Sequence, residues 1–114
     1  MQRPGTDPAN VEMSDILCDF CGAEWVETLP MVEGHHGACI CGNCLKEAYR
    51  DVVLQKRSVG QIAGMKCTMC LEEREEAHWT NASHAEAHIC KRCINQSAGV
   101  LHKDADFAWS KPTS

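Results

Sequence analysis

The chain has 114 residues, 24% of them charged, with a formal net charge of −5 and six aromatic side chains. That length leaves room for one small domain or two very small ones. The acidic balance argues against nucleic-acid binding, which draws most of its affinity from neutralised phosphates. No apolar run approaches the ~18 residues that a membrane span requires. Residues 1–17 lack the apolar stretch and cleavage site of a secretory signal. Nine cysteines are therefore expected to work in a reducing cytoplasm, where paired cysteines hold metal more often than each other.

Residues 1–13 read as a flexible N-terminal tail. A first module is predicted over 14–57. It opens on Cys18-Asp-Phe-Cys21-Gly22, a knuckle with two thiolates on a tight turn and a glycine free to take positive φ. Trp25–Leu29 is β-prone, and Gly34 and Gly37 mark turns before a second short strand that ends near Ile40. After Cys41 and Cys44 the pattern changes period. Leu45, Ala48, Tyr49, Val52 and Val53 form one apolar helical stripe, and Lys56 and Arg57 close the helix at its carbonyl end.

Residues 58–66 read as a connector in which Val59, Ile62 and Met65 are available to pack. A second module is predicted over 67–103, with Cys67 and Cys70, a charged run from Glu72 to Glu76, Trp79, then Cys90 and Cys93. The helix that follows would align Ile94, Ala98 and Leu101 on one side, with Gly99 weakening its middle. Residues 104–114 read as a C-terminal tail with Phe107 and Trp109 as its only docking features.

The second cysteine set is the first shifted by 49 residues, and 19 residues separate the two CxxC pairs in each set. Glu24 and Glu73, His35 and His84, Ala38 and Ala87, and Ile40 and Ile89 obey the same shift. Matches beyond the cysteines indicate two diverged copies of one unit. Structural zinc takes a closed tetrahedron of ligands, and two CxxC turns supply all four thiolates. The assignment is Cys18, Cys21, Cys41 and Cys44 for site one, and Cys67, Cys70, Cys90 and Cys93 for site two. Each filled site adds a net −2, taking the chain from −5 to about −9. A cross-brace would instead join 18/21 with 67/70 and 41/44 with 90/93; the duplicated register favours sequential sites. Four thiolates in a tetrahedron also accept iron.

The expected fold is a small, metal-dominated α+β chain of two tandem treble-clef-like modules, each a knuckle, a short β-hairpin and a helix. A module of about 40 residues is near the size that cannot fold unaided. Zinc contributes roughly 10–16 kcal/mol to such a finger at neutral pH, so each module is expected to be unfolded or molten without it.

Cys39 stands outside the repeat, with His88 in its place in copy two. It reads as a free thiol beside the site, an alternate ligand or a redox-sensitive group. His35, His84 and His88 are the other candidates for an alternate ligand or for support behind the shell. No catalytic constellation is present: there is no G-x-S-x-G, H-E-x-x-H or phosphate loop. His84-Ala85-Glu86 is an H-x-E without the P-C-x-x-C that completes the zinc-deaminase signature.

Cys18-x-x-Cys21-Gly22, a β-prone loop and Ile40-Cys41-x-x-Cys44 leading into an amphipathic helix resemble the N-terminal four-cysteine zinc-binding domain of the ClpX unfoldase. The likeness covers roughly residues 16–56 and, more loosely, 65–103. It implies a treble-clef module that dimerises and binds adaptor proteins and substrates. This chain lacks the ATPase module, and Leu71 replaces the knuckle glycine in copy two. The resemblance leads us to expect the copies to pack as a pseudo-dimer, with Leu45, Tyr49, Val52 and Val53 meeting Ile94, Ala98 and Leu101.

The functional expectation is a cytoplasmic, non-enzymatic protein-interaction module with two zinc ions, binding another protein or itself. Leu29, Met31, Val32 and Trp79 are the expected contact surface. The alternatives are a nucleic-acid-binding zinc finger, supported by Lys91-Arg92, and a thiol redox or metal-handling protein using Cys39.

Overall fold

The computed structural model describes residues 1–58, 66–73, 76–104 and 106–113. Strand β1 (Met31–Glu33) pairs antiparallel with β2 (Cys39–Cys41), and helix α1 (Gly42–Ala48) follows without a break. In the second copy β3 (His78–Trp79) pairs with β4 (Ile89–Cys90), followed by α2 (Lys91–Lys103). The packing of Val59, Ile62 and Met65 lies outside the described residues.

Three local outcomes differ from the expected elements. The first-module strand lies after Trp25–Leu29, which instead turns back on itself through Leu29 N–H to Val26 C=O at 3.1 Å. Strand β1 is placed by its partner: Pro30 C=O accepts from Gly42 N–H at 2.8 Å, which ties its start to the start of α1. The α1 helix widens into a π-helical segment over Tyr49–Leu54, where Gln55 N–H reaches Arg50 C=O at 2.9 Å. Lys56 then turns left-handed at φ 55°, and Arg57 folds back onto Asp51 at 2.7 Å. The third difference concerns Gly99: α2 runs through it unbroken.

The repeat is visible bond by bond. Gly22 N–H donates to Cys18 C=O at 2.8 Å, and Leu71 N–H donates to Cys67 C=O at 2.8 Å. Asp19 N–H reaches Cys39 C=O at 3.0 Å, and Thr68 N–H reaches His88 C=O at 2.7 Å. Within the hairpins the shift changes. Met31 faces Cys41, whereas His78 faces Cys90, so Met31 is matched by the residue 47 positions on, not 49. Copy two is two residues shorter before the strand and two longer in the hairpin loop, and the cysteine spacing stays the same.

The modules pack against each other. Helix α1 and its π-helical continuation contact α2, and Leu45, Ala48 and Val52 share one buried core with Ile94, Ala98 and Leu101. Tyr49 and Val53 pack at its margin. Phe20 and Trp79 bring their ring centres to 6.1 Å inside it. Residues 1–3, read as tail, lie along the first module: Gln2 bridges to Ile16 and Arg3 N–H donates to Asp15 C=O.

Candidate metal centres

Each knuckle turn presents two thiols, and the β2–α1 or β4–α2 junction presents two more. At that junction Cys41 and Cys90 are still extended, at φ −78° and −79°, immediately before their helices begin. The chain therefore turns a corner between the third and fourth cysteine, which aims both sulfurs at the knuckle. The structure brings together Cys18, Cys21, Cys41 and Cys44, and separately Cys67, Cys70, Cys90 and Cys93, all Sγ atoms of a cluster within 4.8 Å of one another. The sites are sequential, and the cross-brace is overturned.

The Sγ separations fit one tetrahedral ion. Cys18–Cys44 is 4.0 Å, Cys21–Cys41 is 3.7 Å and Cys70–Cys90 is 3.9 Å. A tetrahedron with metal–sulfur bonds of about 2.3 Å has edges of about 3.8 Å. Three sulfurs of each cluster belong to buried residues, and Cys21 and Cys70 are half-buried. Backbone amides support the innermost sulfur of each: Cys41 N–H points at Cys18 Sγ at 3.3 Å, and Cys90 N–H at Cys67 Sγ at 3.4 Å. Such donors stabilise thiolate in a dry site.

The thiols of each cluster also shift one another's pKa values. Thiol hydrogen bonds from Cys41 and then Cys44 hold Cys18 down to about 2. The same bond to Cys18 pushes Cys41 up to about 12, and Cys44 is raised by its bonds to Cys18 and Cys41. In site two Cys67 is lowered by Cys90 and Cys93, Cys90 is pushed up to about 12, and Cys93 is raised. In each cluster the first cysteine is favoured as the thiolate that accepts, and the cysteines that donate to it hold their protons more tightly; a bound cation would take the place of those protons.

The other candidates fall outside both clusters. Cys39 is buried, and its Sγ faces Gly37 C=O at 3.6 Å; burial raises its thiol. His88 takes its place in copy two, 1% exposed, with neither ring nitrogen partnered among the described residues. Burial, then His78, lowers its pKa. His35 is exposed, and His84 touches Ser83 Oγ through Nδ1 at 3.1 Å. Trp79, expected on the surface, is 3% exposed: its ring faces Phe20 and its N–H donates to Asp51 at 3.0 Å. Leu29, Met31 and Val32 are half-buried, packed against the core.

Two supporting residues escaped the sequence reading. Asp19 Oδ2 accepts from Cys39 N–H at 2.7 Å, and Thr68 Oγ1 accepts from His88 N–H at 2.9 Å, each fixing the ligand-bearing strand to its knuckle. Their equivalence under the 49-residue shift was the available signal. Trp109, expected to dock from the C-terminal tail, does so: its indole N–H donates to Gly42 C=O at 2.9 Å, between Cys41 and Cys44.

Residues 16–52 match the model of one known family. That family is the ClpX C4-type zinc finger, and the match covers residues 16–52 alone. That span takes in all four cysteines of site one, β1, β2 and α1. The second module lies beyond the match, and its likeness to the ClpX-type finger rests on the cysteine geometry and bonds described above. No curated protein and no solved structure matches the chain. Among the described residues no helix is long and apolar enough to cross a membrane.

The chain thus has two four-cysteine sites, the first inside the span that is similar to a zinc-finger family. In each, the four cysteines would hold one ion that cross-links knuckle, strand and helix.

Proposed function

We propose that the chain is a cytoplasmic, non-enzymatic protein-interaction module, held in shape by two structural zinc ions. The observation that carries this reading is the ClpX C4-type zinc finger over residues 16–52, combined with two shells of four cysteines each. A four-thiolate shell leaves no coordination position for water or substrate, which argues for scaffold rather than catalysis. The contact surface is the exposed part of the loop from Val26 to Val32, where Val26 is 46% exposed beside the half-buried Leu29, Met31 and Val32. The packing of α1 against α2 supports a second feature: two fingers in one chain act as the pair that the related domain forms by dimerisation.

The alternatives have less support. Arg92, half of the basic pair offered for nucleic acid, lies 3.9 Å from Glu72, and its main-chain N–H binds Glu76. Cys39 is buried and its thiol is raised, the reverse of a reactive cysteine.

The test is affinity capture with the zinc-loaded chain. The reading predicts retention of a specific protein partner that is lost on chelation or on Val26→Asp. Salt-sensitive retention of DNA or RNA, with no protein partner, would overturn it.

A further inference from the structure

Each CxxC knuckle is held by the other module. In knuckle two, Met69 C=O lies between the ligands Cys67 and Cys70 and accepts from His35 N–H of module one at 2.8 Å. The approach is close: a Cβ on Gly34 would lie 2.7 Å from Met69 O and 3.1 Å from Met69 Cε. Only glycine at position 34 lets the first hairpin loop seat against the second knuckle. In knuckle one the partners are reversed. His84, from the second hairpin loop, puts Nε2 3.2 Å from where a Cβ on Gly22 would stand. Phe20, between Cys18 and Cys21, is fully buried against Trp79 of module two.

We infer that the two sites take up metal cooperatively, each hairpin loop ordering the knuckle that completes the other module's site. Resting on the reading of both clusters as metal sites, this goes beyond it by coupling them. A module without metal cannot hold its hairpin loop, since the β2 and β4 strands of those hairpins carry ligands themselves. Losing one ion therefore loosens the opposite knuckle. The coupling is reciprocal: whatever factor site one confers on site two, site two returns. Gly34 and His84 act as positioning residues for ligands they do not touch.

The experiment is chelator-competition titration of the full chain with Zn2+, repeated with Co2+ to read thiolate coordination by absorbance. Site two is measured in the wild type and in Cys18→Ser/Cys21→Ser, and site one in Cys67→Ser/Cys70→Ser. Each disruption is expected to weaken the intact site, both by the same factor of roughly 5–150. Gly34→Val keeps all eight ligands and is expected to weaken site two more than site one; Gly99→Ala, where a Cβ meets nothing within 4 Å, is expected to leave both unchanged. Equal affinities with and without the opposite site, or a Gly34→Val chain that loads site two like the wild type, would overturn the coupling alone. Failure of the wild-type chain to bind either ion would overturn the metal-site reading itself.

Discussion

Trp79 Nε1 donates a hydrogen bond to Asp51 Oδ2 at 3.0 Å, joining the second module's hairpin to the first module's helix. Asp51 also holds Arg57 at 2.7 Å, and the Trp79 ring packs on Phe20 in the knuckle of site one. One residue pair thus ties the helix terminus, a metal knuckle and the opposite hairpin together. Trp79→Phe keeps most of the ring and removes the donor. Hydrogen bonds to charged groups contribute roughly 1.5–3 kcal/mol, so a loss at the lower end of that range is expected in denaturant unfolding of the metal-loaded chain. Asp51→Asn, which keeps an acceptor, should cost less.

Gly22 and Leu71 occupy the same place in the two knuckles, at φ 76° and 62°. A leucine in this region bears steric strain of roughly 1–2 kcal/mol, and Leu71 is 40% exposed, so little packing offsets it. Leu71→Gly should raise stability by about 0.5–1 kcal/mol after the glycine's extra unfolded-state entropy is counted. Gly22→Leu should do the opposite and more, since the new side chain also meets His84. Thermal melts of both variants test the pair.

Trp109 sits 67 positions from Gly42 and is 8% exposed. A Cβ on Gly42 would come within 3.0 Å of both Trp109 and Pro30, so the indole fills the space above the helix start. Trp109→Ala should destabilise the chain by about 3 kcal/mol and speed metal loss from site one to chelator more than from site two. Equal loss rates from the two sites would contradict this placement.

Metal uptake should depend on pH with a definite sign. In the bare clusters Cys41, Cys44, Cys90 and Cys93 all have raised pKa values and keep their protons at neutral pH. Bound metal requires thiolates, so the loaded state carries fewer protons and is favoured as pH rises. Affinity should climb steeply through the neutral range, with at least two protons released per ion. Titration in buffers of different ionisation enthalpy measures that number; pH-independent uptake would contradict it.

The two four-cysteine clusters were legible because their pattern is local: two cysteines on one turn, repeated at one spacing. The helical stripe from Leu45 to Val52 was legible for the same reason, its period being written in adjacent turns. The slide of the β3 register was not, because two residues lost before His78 are regained before Cys90. Trp79 follows the charged stretch that begins at Glu72 and reads as exposed, yet its burial is decided by Phe20 and Asp51, each far away in sequence. The Trp109–Gly42 bond has no periodicity to betray it. Tertiary contacts between modules, unlike ligand spacing, leave no local pattern.

The central claim is that two ions hold this fold together through eight of its nine cysteines. Elemental analysis of the purified, folded chain, with counting of reactive thiols, tests it most directly. Two zinc ions per chain are expected, with eight thiols protected until chelator unfolds the protein. A folded chain that carries no metal, or whose cysteines are paired as disulfides, would contradict it.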